Sequence, residues 1–216
     1  MNFKSLKESE LLSFTERMFS NIPEVEGLQQ RLTTVGYDEK KIKQGLALQK
    51  KAKEDVDNNY LQQVESQKTR IKRDEAYMVF KDKISKIRKG LKVLFKKDAI
   101  LIADLGLNQR FPRPKTDQID NVKKLIQKLQ ANKAIHAKLL ALRLDEENLK
   151  LFTKEIKELE KLLSQNTLDK GLDQTLTEKK NKSISALIEW CDEFMVAARF
   201  ATDDDEQIIE SLGVIV

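Results

Sequence analysis

Residues 71–97 read IKRDEAYMVFKDKISKIRKGLKVLFKK. Tyr77, Phe80, Ile84, Ile87, Leu91 and Leu94 follow one another at alternating spacings of three and four. That spacing lines one face of an α-helix and cannot line one face of a strand. The cations Lys83, Lys86, Arg88, Lys89, Lys92, Lys96 and Lys97 take the rest of the circumference. One reading of these residues therefore predicts both an apolar inner face and a basic outer one.

The same stripe returns further along the chain. With every residue number raised by 107, the six apolar positions become Ile184, Leu187, Cys191, Phe194, Ala198 and Ala201. The offset also carries Leu28, Leu32 and Val35 onto Ile135, Leu139 and Leu142. Tyr37, Asp38 and Glu39 fall on Leu144, Asp145 and Glu146, and Leu105, Gly106 and Leu107 on Leu212, Gly213 and Val214. Any two amphipathic helices can be slid into local register, but separated segments agreeing on one offset point to an internal duplication.

Composition agrees with an all-helical chain. Only seven Gly and three Pro occur in 216 residues, too few to make the frequent turns of an all-β domain. Lys, Glu, Leu and Gln abound, and these lose little side-chain freedom in a helix. The expectation is an all-α, antiparallel helical bundle built from two similar halves offset by about 107 residues. Residues 1–107 form the first half, 108–116 a Pro-containing linker and 117–216 the second, all packed as one compact unit. Helices are expected over 4–35 with a break at Pro23, then 38–66, 69–96 and 98–106. The second half should repeat them over 117–142, 145–164, 175–201 and 203–212, with a loop at 165–173. Gly36 suits a left-handed helix stop, and Asp38 suits the cap of the helix that follows.

Most chemistry is excluded by what the chain lacks. One cysteine permits no internal disulfide and no thiolate cluster. His136 is the only histidine, short of the pair that a di-iron helical bundle needs. Glu189 and Glu193 share a helix face beside Trp190, but nothing nearby raises either pKa as acid–base catalysis requires. Cys191 lies on the apolar stripe and reads as core, and Trp190 as the edge of the core or an interface. Residues 203–206 are acidic without the glycine and alternating ligands of a calcium loop, so they read as a helix start. No glycine-rich phosphate loop or nucleophile elbow is present. No catalytic residue, metal or cofactor is therefore expected, and the apolar end at 212–216 should pack on the bundle. Charges near the N-terminus exclude a secretory core, no apolar run could span a membrane, and the cytoplasm is the expected compartment.

Charge distribution is the remaining signal. Residues 68–97 carry 12 Lys or Arg against three Asp or Glu, whereas 174–216 carry four against nine. Lys83, Lys86, Arg88, Lys89, Lys92, Lys96 and Lys97 are the candidate polyanion-binding residues. Exposed aromatics are not interleaved among them, and no helix-turn-helix spacing is present, which weighs against nucleic acid. The leading expectation is a non-enzymatic interaction or scaffold module with a protein partner or with itself. The alternative is nucleic acid or an anionic membrane surface held by the basic helix 68–97. A third use of the charge is internal, against Asp192, Glu193 or the acidic residues 203–205.

Overall fold

The computed structural model describes residues 2–203 and 205–213. Every regular element among them is helical. In chain order these are α1 (Glu8–Asn21), α2 (Leu28–Thr34), α3 (Glu39–Leu94), α4 (Ala99–Asp104), α5 (Lys115–Ala131), α6 (His136–Leu139), α7 (Glu146–Ala201) and α8 (Glu206–Ser211). Short 3-10 turns precede α1 and flank α6.

Local chemistry sets most boundaries. The chain leaves α1 one residue before Pro23, as a missing N–H requires. Gly36 takes the left-handed conformation at φ 86°, where a Cβ would be strained. The backbone N–H of Lys41 donates to Asp38 Oδ1 at 2.8 Å, so Asp38 caps α3 as its sequence position predicts. Asp145 accepts from Asn148 N at 2.7 Å at the start of α7. Asp98 and Asp205 cap α4 and α8 in the same manner.

Two predicted interruptions are absent. α3 runs without a break through 67–68, and α7 runs through 165–173, each helix having 56 residues. The polar residues in both stretches suggest loops, yet none is proline. Serine, threonine and a single glycine cost a helix only about 0.5–1 kcal/mol each, which neighbouring turns offset. Thr167 and Thr175 return their hydroxyls to the carbonyls of Leu163 and Gly171, four residues back. A third expectation also fails. The helix predicted over 117–142 ends at Ala131, where Asn132 leaves helical geometry, and irregular turns follow. Asparagine competes for backbone hydrogen bonds and so favours such exits.

The chain forms two compact units. Unit 1 comprises Met1–Glu65 and Lys170–Val216; unit 2 is Ser66–Asp169. The core of unit 1 joins Leu11, Phe14, Met18 and Leu32 from the first half to Leu187, Trp190, Phe194 and Ala198 from the end of α7. The core of unit 2 joins Phe80, Ile84 and Leu91 from α3 to Val122 and Leu125 of α5 and Phe152 and Ile156 of α7. Each unit therefore draws its core from both halves of the sequence. Each fully buried Leu, Ile, Val, Phe or Met side chain among them contributes about 1.5–3 kcal/mol.

The predicted stripes face inward. Phe80, Ile84, Leu91, Leu187, Cys191, Phe194 and Ala198 are buried, and Tyr77, Ile87, Leu94 and Ile184 are half-buried. Charge divides along the same lines as packing. Unit 2 holds 25 basic and 14 acidic residues, net +11, which leaves unit 1 at −6 within the total of +5.

Candidate functional site

The basic face lies on the second half of α3 and the turn that follows it, within unit 2. Of the seven candidate residues, Lys86, Lys89, Lys92, Lys96 and Lys97 are exposed. None of the five enters an ion pair among the described residues. Lys81, one turn earlier, is exposed and unpaired in the same way. At about 100° per residue Lys81, Lys86, Lys89 and Lys92 spread over roughly 140° of α3, and Lys96 and Lys97 lie in the turn that follows it. That arc is narrower than the stripe alone suggests, because Lys83, Ile87 and Leu94 flank the buried face and are half-buried themselves.

The other two candidates have different surroundings. Lys83 donates to both oxygens of Glu155, at 3.0 and 2.7 Å, and its ammonium stands 4.6 Å from the centre of the Phe152 ring. Arg88 is buried, 9% exposed. Its guanidinium donates to the carbonyls of Gly106, Leu107 and Gln109, at 3.3, 3.5 and 3.1 Å, and to Asn121 Oδ1 at 3.4 Å. Burial pulls its pKa down, but a guanidinium stays protonated at any physiological pH. Arg88 therefore ties the segment after α4 onto α3 and does not stand on the solvent-facing arc.

That tether places an aromatic residue beside the cations. Phe111 lies under the Arg88 guanidinium at 5.1 Å. It lines a groove of about 270 Å³ together with Ile84, Ser85, Arg88, Lys81, Lys89 and Lys92. Sequence reasoning finds no exposed aromatic among the basic residues because Phe111 comes from the linker, beyond α4. No local signal in the sequence pairs it with Arg88.

A larger cavity of about 510 Å³ opens elsewhere in unit 2, among Lys133, His136, Leu140, Leu144, Asp145 and Glu146. The His136 ring donates through Nε2 to the Leu129 carbonyl at 3.1 Å. Asp145 is held below the usual carboxylate range first by the Asn148 backbone N–H, and Glu146 first by its hydrogen bond from Lys150. Both carboxylates are thus ionised at neutral pH.

Other sequence candidates resolve into ordinary parts. Burial, helped by the nearby Asp192 charge, pushes the Cys191 thiol up to about 12, so it carries no thiolate at neutral pH. Trp190 lies inside the unit 1 core, stacked on Phe194 with ring centres 5.0 Å apart. Glu189 and Glu193 are exposed. Among the described residues no group of three His, Cys, Asp or Glu could hold a metal ion, and no helix is long and apolar enough to cross a membrane. Leu212 is buried as the tail reading expects, while Asp204 and residues 214–216 lie outside the described residues. No candidate cation pairs with Asp192, Glu193, Asp203 or Asp205 among the described residues. No family model, curated protein or solved structure matches the chain.

Proposed function

We propose that the protein is a non-enzymatic interaction module whose docking surface is the basic face of α3 in unit 2. The observation that carries this reading is the run of exposed cations at Lys81, Lys86, Lys89, Lys92, Lys96 and Lys97, with no carboxylate partner among the described residues. Like charges held on one face repel one another, and an anionic partner relieves that repulsion while releasing counterions. Titration with duplex DNA and with anionic vesicles at low salt tests the face with two polyanions. The Lys86→Glu, Lys89→Glu, Lys97→Glu variant should lose at least tenfold in affinity and keep its thermal stability. Wild type that binds neither probe would remove a general polyanion surface. A cytoplasmic setting suits a chain whose one thiol is buried.

We further propose that the chain descends from a duplication at the offset of 107. Support comes from α3 and α7, and from α4 and α8, whose first and last positions all differ by that number. The capping residues Asp38 and Asp145, and Asp98 and Asp205, share the same spacing. So does a size exchange in the cores. Gly45 accommodates the Trp190 ring in unit 1, and at the corresponding positions of unit 2 Phe152 lies under Lys83. Transplanting one pair onto the other tests the correspondence. Phe152→Gly alone should cost about 3–5 kcal/mol through a cavity, and Lys83→Trp alone about 1–3 kcal/mol through overpacking. The double variant should recover more than about 1 kcal/mol of that total, measured by urea unfolding as a double-mutant cycle. Strict additivity would count against equivalent positions.

A further inference from the structure

The surface that best complements the basic groove is on this chain itself. Carried forward by the same offset, the basic face maps onto the outer face of α7 in unit 1. There Glu189, Asp192, Glu193 and Asp203 are exposed and form no ion pair among the described residues. Lys86 corresponds to Glu193 and Lys96 to Asp203, whereas Lys81, Lys89 and Lys92 fall on Ile188, Val196 and Arg199, so the complementarity lies in the net charge of the two faces and not in a position-by-position match. On the same side of α7, towards its C-terminal end, stand Val196 and Phe200, one helical turn apart and 72% and 78% exposed. A phenylalanine so far out of the core, on a helix face that also carries Glu189 and Glu193, has the form of an interface anchor. The groove in unit 2 presents a converse composition, combining Ile84, Phe111 and the buried Arg88 with the exposed Lys81, Lys89 and Lys92. Its volume of about 270 Å³ accommodates one phenyl ring.

We propose that the protein associates head to tail with further copies of itself, Phe200 of one copy seating in the groove beside Phe111 of the next. The cations around that groove then face Glu189, Asp192, Glu193 and Asp203. The inference rests on the reading of the basic face as a docking surface and adds the identity of its occupant. Because the two faces differ, each contact pairs unlike surfaces of two copies. The patch is small, so the association is weak, concentration-dependent and sensitive to salt.

Sedimentation velocity of the whole chain over a concentration series tests the proposal. At about 0.1 M salt the mean sedimentation coefficient should rise with concentration, and at about 1 M salt, where the screening length falls to about 3 Å, the rise should disappear. Phe200→Ser should abolish it at low salt. So should Lys81→Glu, Lys89→Glu, Lys92→Glu, which leaves two acidic faces, and Glu189→Lys, Asp192→Lys, Glu193→Lys, which leaves two basic ones. Mixing these two charge variants in equal amounts should restore association, since each now supplies the complement of the other. Restoration also shows that neither variant has merely unfolded. A wild type that stays monomeric throughout the series overturns the inference, and so does a mixture that stays monomeric. If such a protein still binds duplex DNA through Lys86, Lys89 and Lys97, the docking surface stands and its occupant is a polyanion. If it binds neither DNA nor vesicles, the docking surface falls as well.

Discussion

At the scale of single residues, two glycines inside the long helices make opposite demands. A Cβ at Gly45 would come within 2.4 Å of the buried Trp190 ring, which is itself stacked on Phe194 and has no room to withdraw. A Cβ at Gly171 would meet nothing within 4 Å. Both positions are helical, so both gain roughly 0.8–1 kcal/mol in propensity from alanine. At Gly171 that gain stands alone, and Gly171→Ala should raise stability by about 0.5–1 kcal/mol. At Gly45 overpacking costs typically about 1–3 kcal/mol and outweighs it, so Gly45→Ala should be destabilising. Urea unfolding of the two variants checks the contrast, and a stabilising Gly45→Ala would contradict the packing of Trp190. Arg88 teaches the related lesson for charge. A cation in a basic run reads as one more member of the run, but this one spends its donors on backbone carbonyls.

At the scale of elements, the continuity of α3 and α7 is the feature that departs furthest from sequence expectation. Gln67 and Leu168 lie where a break or loop is predicted, and both side chains are exposed, so substitution there tests the backbone and little else. A proline in a loop is tolerated. Inside a helix it removes one hydrogen bond and clashes with the carbonyl four residues back, at about 3 kcal/mol or more. Gln67→Pro and Leu168→Pro should each lower stability by at least that amount. A loss below about 1 kcal/mol in thermal or urea unfolding would show that the helix is interrupted at that point.

At the scale of the whole molecule, the two cores make the halves of the sequence interdependent. Unit 1 needs the end of α7 to cover Leu11, Phe14 and Met18, and unit 2 needs the end of α3 to cover α5. A chain cut between Asn108 and Arg110, where three exposed residues follow the buried Leu107, loses one peptide bond and none of the core. The fragments should co-elute in size exclusion after cleavage at an engineered protease site there and separate only in denaturant. Residues 1–107 produced alone should fail to fold as a monomer, because their apolar stripes lack the partners supplied by residues 115–216. A folded, monomeric 1–107 fragment would contradict this interdependence.

Periodicity, capping residues and composition are local properties, and they make the helical class, the inward stripes and the caps at Asp38 and Asp98 legible in the chain alone. The offset of 107 is legible for the same reason, since Asp38 and Asp145 or Gly106 and Gly213 can be matched without knowing where either lies in space. Helix breaks in polar stretches are less legible. Serine, threonine and glycine shift the balance by only fractions of a kcal/mol, and packing on either side settles the outcome. Which segments share a core is less legible still. Phe14 and Phe194 lie near opposite ends of the chain, and an apolar stripe carries no address for its partner. The groove is the extreme case. It pairs Ile84 with Phe111 only because the buried Arg88 fastens the segment after α4 to α3, a hydrogen-bonded arrangement with no periodic signature in the chain.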